Sequence, residues 1–415
     1  MRILLLHNGF PGQFGPLAEA LAADPENTVV FGSRRPGRLR GVVRAFYEPH
    51  REPRRETHAY LRSTEAAVLT GQAVHRMLLQ LAGNGFVPDV IYAHAGWGPA
   101  LYVKELLPEV RLITYLEWYH RPDGEMAAYL PPLDDDNRLR VRSLNMPALL
   151  ELATSDWSVA PTELQRRQAP AIFQPRISVV HEGVDLDRFT PPPEPAGPLR
   201  APLALGGLVL PPGAELVTYG TRGMEPHRGF PQLMRAAALV LERRPQAHVV
   251  IAGEDRVVYG SPLPEGESWR SRLLAELEGR LDRSRLHVVG ALAPPQWLAL
   301  LRASLVHVHL TIPFALSWSL LEAMACEALV VGSATSPVQE VIEHGRDGLL
   351  VDFFDHEALA ECILGALADP GALTPLRRSA RQVILDRFDR RDLLRRHTGI
   401  IADVAAGRAP TLTLV

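Results

Sequence analysis

Residues 190–197 read Thr-Pro-Pro-Pro-Glu-Pro-Ala-Gly, four prolines in eight residues. Each proline fixes φ and removes a backbone donor, so this run can form neither a helix interior nor a central strand. The chain shows the same rhythm on both sides of it. Before it, short apolar runs fall at 2–6, 28–31, 89–93 and 111–115, and a helix is expected at 99–107. After it, apolar runs fall at 215–219, 248–252, 286–290, 306–310, 328–332 and 348–351, with helices expected at 231–243 and 269–282. Strands that alternate with helices build parallel βαβ units, buried on both faces.

The expected fold class is therefore α/β, with two Rossmann-like domains at 1–195 and 196–390 facing across a cleft. A tail at 391–415 is expected to pack back on the first domain. Ligands of open α/β sheets bind beyond the carboxyl ends of the strands, so the chemistry is expected in that cleft. A length of 415 residues suits two domains, and 47% apolar with 22% charged residues is ordinary globular composition. A net charge of −3 excludes a global basic field of the kind a nucleic-acid coat needs. Two cysteines, Cys326 and Cys362, can form neither a disulfide framework nor a Cys-rich zinc site. No apolar run approaches a membrane span, and the N-terminal apolar stretch is too short for a signal-peptide core. These features point to a cytoplasmic protein.

Lys104 is the only lysine beside 43 arginines, so an isolated arginine carries little information here. Their clustering says more. Residues 34–62 hold nine arginines against Glu48, Glu52 and Glu56, a local charge of +6. The segment reads either as a solvated loop or as a patch that meets an anionic acceptor or the inner membrane surface.

Three loops carry candidate chemistry. The first is His7-Asn8-Gly9-Phe10-Pro11-Gly12-Gln13-Phe14-Gly15, between a strand and a helix. Its glycines fall three apart, which is not the dinucleotide fingerprint, and no phosphate-loop G-K-[ST] exists. Pro11-Gly12 before a helix still allows close approach to an anion, and a plain tight turn is an equal reading. The second runs from Tyr219 to Phe230, with Arg222 and Arg228 six apart after a strand. Two guanidiniums there suit a diphosphate, against the alternative of two surface arginines. The third, Leu310 to Cys326, carries Pro313, Phe314, Ala315, Leu316 and Ser317 into a helix whose Leu320, Leu321 and Met324 form a buried stripe. Glu322 lies among them, and a buried carboxylate needs partners. A pair of ribose hydroxyls would satisfy it, as would a capping or ion-pair role.

Together with His181-Glu182-Gly183-Val184-Asp185 and Pro337-Val338-Gln339-Glu340 through Asp347-Gly348-Leu349-Leu350-Val351, these blocks resemble glycosyltransferase family 4 of the GT-B fold. The resemblance runs from residue 1 to about 390 and is specific in combination. It implies that Arg222 and Arg228 hold the donor diphosphate, with Arg228 where the family usually has Lys. It also implies that Glu322 binds the ribose. Gly12 and Gln13 would approach the phosphates, Phe10 and Pro11 would lie on the acceptor side, and Gly290, Phe314, Ala315, Leu316 and Ser317 on the donor side. The family's E-x7-E motif asks for a Glu at Phe314, and a subset with Pro-Phe-x-Leu-Ser-Trp-Ser shares this change. A phenyl ring there suits an apolar sugar face or a deoxysugar methyl. Where the family often has a His by the donor sugar, this sequence has Glu117.

The resemblance implies a retaining transfer from a nucleotide-diphosphate sugar to a hydroxyl acceptor, as in bacterial surface-glycan or glycoconjugate synthesis. No Asp-x-Asp motif sits at a strand end, and Asp134-Asp135-Asp136 reads as a solvated loop. The charge would come from Arg222, Arg228 and helix N-termini, so no metal or other cofactor is expected. Glu117 would bind the sugar, stabilise positive charge, act as base, or pair with an arginine such as Arg121. His94 would line the acceptor side or serve as a structural histidine; His58 and Tyr60 are weaker acceptor candidates. Acceptors that fit include a glycan, a lipid-linked intermediate, a protein side chain and a small molecule, and no nucleic-acid partner is expected. The rival readings are a nucleotide-sugar epimerase of the same fold, a non-catalytic nucleotide-sugar-binding protein and, weakest, a nicotinamide oxidoreductase. A phosphorylase would need a well-placed lysine for pyridoxal phosphate, which Lys104 does not supply.

Overall fold

A computed structural model describes residues 1–194 and 196–411. The chain divides into two compact units. The first comprises residues 1–183 together with the chain from Arg390 onward, and the second comprises Val184–Asp389. The division at 183/184 falls upstream of the proline-rich stretch. Pro195 in that stretch, and residues 412–415 of the expected tail, lie outside the described residues.

The first unit is built on a seven-stranded sheet: β1 (Arg2–Leu6), β2 (Thr28–Ser33), β3 (Val43–Phe46), β4 (Val90–His94), β5 (Arg111–Tyr115), β6 (Trp157–Ala160) and β7 (Ile177–Val179). The spatial order is β3-β2-β1-β4-β5-β6-β7, and every pairing is parallel. Leu4 pairs with Val30 on one side and Ile91 on the other. Ile3 to Leu6 are all fully buried. A strand covered on both faces has no polar side to show, which is why this run is uninterruptedly apolar. The helix Arg390–Ala405 belongs to this unit and packs against the helix Gly15–Ala22 and β5. Its His397 lies 3.3 Å from the Tyr92 hydroxyl.

The second unit opens with an antiparallel hairpin of β8 (Leu203–Leu205) and β9 (Leu208–Leu210), turned at Gly206-Gly207 with both φ positive. Its main sheet holds β10 (Glu215–Gly220), β11 (Ala247–Ala252), β12 (Leu286–Gly290), β13 (Val306–His309), β14 (Leu329–Ser333) and β15 (Leu349–Val351). The order is β12-β11-β10-β13-β14-β15, again wholly parallel. Each main sheet reverses its strand order once, between β1 and β4 in the first unit and between β10 and β13 in the second. At such a switch point the loops leave in opposite directions and open a crevice at the carboxyl ends.

Three sequence expectations are corrected. The helix expected at 99–107 is a single turn, Val103–Leu106, within bends and turns. The helix expected at 269–282 ends at Glu276, with Gly279 in the left-handed region just beyond. Asp135 and Asp136 are not in a loop. They open the helix Asp135–Ser143, which Asp134 caps by accepting the Asn137 N–H at 2.8 Å. Acids in the first turn and Arg140 and Arg142 in the last complement the helix dipole. Among the described residues, no helix is long and apolar enough to cross a membrane.

Candidate functional site

In the first unit, the loops after β1 and β5 and the last residue of β4 bring His7, Gln13, His94 and Glu117 into one hydrogen-bonded chain. The Gly9 N–H donates to His7 Nδ1 at 2.9 Å. His7 Nε2 then faces Gln13 Oε1 at 2.8 Å, and Gln13 Nε2 donates to Glu117 Oε1 at 3.0 Å. The other carboxylate oxygen, Oε2, lies 3.3 Å from His94 Nε2. Nδ1 lies within reach of both the Gly9 N–H and the Gly9 carbonyl, but Gln13 Oε1 can only accept, so with Gln13 Nε2 turned to Glu117 neutral His7 is assigned its proton on Nε2. Burial, aided by the neighbouring His94, lowers the His7 pKa to about 4, so the ring stays neutral at physiological pH. Gln165 Nε2 donates to the Glu117 carbonyl at 2.5 Å, pinning the backbone. Arg121, considered as an ion-pair partner for Glu117, donates to the carbonyls of Gln168 and Ala169.

Gly12 is required twice over. Its φ is +53°, and a Cβ there would lie 2.5 Å from His7 Cε1. Pro11 packs where a Cβ on Gly15 would sit. Phe10 is held away from the Glu117 chain, edge-on to Phe31 with the Arg44 guanidinium 3.8 Å above its ring. His58 lies on an exposed loop, and its ring meets Tyr60, whose hydroxyl donates to Asp136. The structure therefore joins Gly12, Gln13, His94 and Glu117, and leaves His58 and Tyr60 outside that chain of contacts.

The basic segment is partly used internally. Arg44 donates to the Phe31 carbonyl and to Ser33, Arg34 pairs with Glu52, Arg51 pairs with Glu65, and Arg62 donates to two carbonyls. Arg35, Arg38, Arg40, Arg54 and Arg55 remain exposed.

In the second unit, the loops after β10 and β13 place Arg228 at the switch point. Its side chain is nearly buried, and Nη1 donates to Thr311 Oγ1 at 2.9 Å and to the Ala315 carbonyl at 3.0 Å. These bonds orient the fork and leave Nη2 and Nε without a hydrogen-bond partner among the described residues. Tyr259 and Phe314 flank the guanidinium at 5.2 and 5.6 Å, and their rings meet edge to face at 4.9 Å. Phe314, which stands where a carboxylate was expected, is thus part of the wall around Arg228. Arg222 lies two residues beyond β10, exposed and with no side-chain hydrogen bond or ion pair among the described residues. The two arginines differ in kind: one is pre-oriented, the other unrestrained.

Glu322 is half-buried rather than buried, one turn into the helix Trp318–Ala325, and accepts the Trp297 indole N–H at 2.7 Å. The Trp297 ring lies against Gly220 at the end of β10, where a Cβ would come within 2.5 Å of it. Ser317 caps the same helix. Gly290 ends β12 with φ +69°, and its carbonyl accepts the Gly253 N–H at 2.9 Å. β12 is two strands from β10, so Gly290 is the most peripheral of the donor-side candidates.

Two residues outside the sequence reading organise these loops. Glu225 is fully buried and accepts the backbone N–H groups of Val258, Tyr259 and Gly260 at 2.7–3.1 Å, which holds Tyr259 over Arg228. Glu151 is fully buried in the first unit and accepts the N–H groups of Gly96 at 2.5 Å and Ala100 at 3.0 Å. Burial raises the Glu151 pKa to about 7 against the opposing pull of these bonds. Among the described residues, no three His, Cys, Asp or Glu side chains gather as a metal site.

Residues 25–189 match the family described as Glycosyl transferase family 4 group, and residues 213–383 match Glycosyl transferases group 1. D-inositol 3-phosphate glycosyltransferase of Corynebacterium urealyticum is 29% identical over 316 residues, covering 74% of this chain and 68% of that protein. The chain spans about half the length of most of the curated relatives it matches, for example 53% and 41% of two others of that name. Among solved structures, sucrose-phosphate synthase from Thermosynechococcus elongatus superposes with a TM-score of 0.69 at 19% identity, covering 98% of this chain and 100% of that one. Anabaena HepE in complex with UDP-glucose gives 0.65 at 17% identity, covering 98% and 100%. The fold is GT-B, and the family matches support a glycosyltransferase of family 4 type.

Proposed function

From the premise of a family-4-type glycosyltransferase with the GT-B fold, we propose that this chain transfers a sugar from a nucleotide-diphosphate sugar to a hydroxyl acceptor, with retention of anomeric configuration. The observation that carries this reading is Arg228. Its Nη1 is taken by Thr311 and Ala315, which orients the fork beside the switch point and leaves Nη2 and Nε to a ligand. A diphosphate there gains a bidentate partner that pays little ordering entropy. Arg222, exposed and unrestrained, supplies the second positive charge, and Glu322 accepts from the ribose hydroxyls while the Trp297 N–H holds one of its oxygens. The leaving diphosphate is stabilised by these cations without a metal ion.

Glu117 and His94 handle the sugar and the acceptor in this proposal. The carboxylate is oriented at both oxygens, by Gln13 and by His94, so it stabilises positive charge at the anomeric carbon or binds sugar hydroxyls. The departing phosphate takes the acceptor proton. UDP is the first donor nucleotide to try, since HepE is solved with UDP-glucose. A surface glycan or glycoconjugate is the acceptor class we assign. The test is a thermal-shift screen of UDP-, GDP-, ADP- and dTDP-sugars, followed by NMR assignment of the product anomer. Stabilisation by one nucleotide series, and its loss in Arg228→Ala, supports the proposal. No stabilisation by any of them rejects it.

A further inference from the structure

Trp97 is left unexplained by the assignments above. It sits between Gly96 and Gly98, both with φ +91°, and a Cβ on Gly98 would lie 2.1 Å from the Ala67 carbonyl oxygen. Glu151 fixes this loop from beneath through the Gly96 and Ala100 N–H groups. The chain thus spends two left-handed glycines and a buried carboxylate on presenting one indole that is 41% exposed. One face of that indole stacks on His94 at 3.9 Å and 11°, and His7 meets it edge-on at 5.4 Å. His94 is buried, and its Nε2 reaches Glu117. A flat apolar surface therefore stands one imidazole away from an oriented carboxylate.

That pairing matches the two-sided chemistry of a pyranose ring, which offers a face of C–H groups and a rim of hydroxyl donors. An acyclic alcohol or a peptide hydroxyl has the donor without the flat face, so it would leave the indole unused. We propose that Trp97 is a stacking platform for the acceptor, and that the acceptor presents a pyranose ring beside Glu117. The proposal rests on the glycosyl-transfer reading and narrows its acceptor class to a sugar ring.

The experiment uses the full chain labelled with 5-fluorotryptophan, which carries six tryptophans. Trp97→Phe identifies the Trp97 19F resonance, and the remaining signals report that each variant is folded. The probes are methyl β-D-glucopyranoside, methyl β-D-galactopyranoside, glycerol and UDP-glucose. A saturable shift of the Trp97 signal with a methyl glycoside, absent with glycerol, is expected. Trp97→Ala should weaken that glycoside about tenfold, and Trp97→Phe by no more than about threefold, since a smaller aromatic face is kept. An unmoved Trp97 signal with both glycosides overturns the proposal. So does an equal shift with glycerol, and a shift with UDP-glucose alone would assign the platform to the donor sugar instead. Nucleotide thermal shifts on the same sample separate the two failures: nucleotide binding with a silent Trp97 rejects the platform, and no nucleotide binding rejects the donor reading.

Discussion

Replacing Glu225 tests whether the wall around Arg228 is held from behind. Its carboxylate accepts three consecutive N–H groups from a loop 33–35 residues away. Hydrogen bonds to a charged group each contribute up to about 3 kcal/mol, but residues 258–260 are half-buried and their freed donors can reach water. At about 1 kcal/mol net for each donor, Glu225→Ala costs about 3 kcal/mol. For a unit of about 200 residues, that lowers the melting midpoint by about 6–12 °C. Glu225→Gln keeps one carbonyl oxygen, which accepts from two donors at most, so it should fall between wild type and Ala. Tyr259 loses its position over the guanidinium in both, and donor affinity should fall several-fold in the same order. Differential scanning fluorimetry and nucleotide titration read the two effects. An Ala variant that melts with wild type and binds nucleotide equally would refute the reasoning.

Other perturbations have definite signs. Gly12→Ala places a methyl against His7 in a strained backbone, costing about 1–3 kcal/mol in a melt and breaking the Gln13–Glu117 bond, so transfer activity should collapse; retained activity would contradict a functional role for that hydrogen-bonded chain. The His7 pKa is depressed from 6.5 to about 4, so its contribution is present above the unfolded value and is lost as pH falls from about 6.5 to 4. At pH 5 the loss is about 2 kcal/mol, visible in urea midpoints that a His7→Asn variant should not show. Glu151 has the opposite slope: its folded pKa is raised from 4.5 to about 7, so its contribution is full below about 4.5 and is lost as pH rises to about 7, and Glu151→Gln should flatten the slope across that window. Phe314→Ala removes one ring beside Arg228 and should raise the donor Kd about threefold to tenfold.

The parallel sheets were legible because buried strands must be continuously apolar, as Ile3–Leu6 and Val249–Ile251 are. Shorter strands escaped the reading. β6 (Trp-Ser-Val-Ala) and β7 (Ile-Ser-Val) carry buried serines that satisfy partners such as the Trp157 indole, so no apolar run marks them. The helix Arg62–Gly83 was obscured by the arginines before it, although its buried positions 67, 70, 74, 77 and 78 follow a helical period. The hairpin at 203–210 did carry a signal, Gly-Gly between two Leu-x-Leu runs. The aspartates at 134–136 also read as a helix start once Arg138, Arg140 and Arg142 after them are weighed.

The site divides in the same way. Arg228 and Glu322 lie on the loop and the helix that follow β10 and β13, so local pattern finds them. Gln13 and Glu117 are 104 residues apart, and their bond depends on β1 and β5 both flanking β4. Glu225 and Glu151 were missed because their partners are backbone N–H groups of distant loops, which leave no residue-type signature. The strand geometry that unites them is visible only after folding.

The central claim is best tested by calorimetric titration of pyrophosphate and of the nucleoside diphosphate selected by the thermal-shift screen, into wild type, Arg228→Ala and Glu322→Ala. Arg228→Ala should weaken both ligands by about 10–100-fold, the worth of a charge-assisted pair. Glu322→Ala should weaken the nucleoside diphosphate and leave pyrophosphate unchanged, because the proposal gives its carboxylate to the ribose. Unchanged binding of both ligands to both variants would contradict the account.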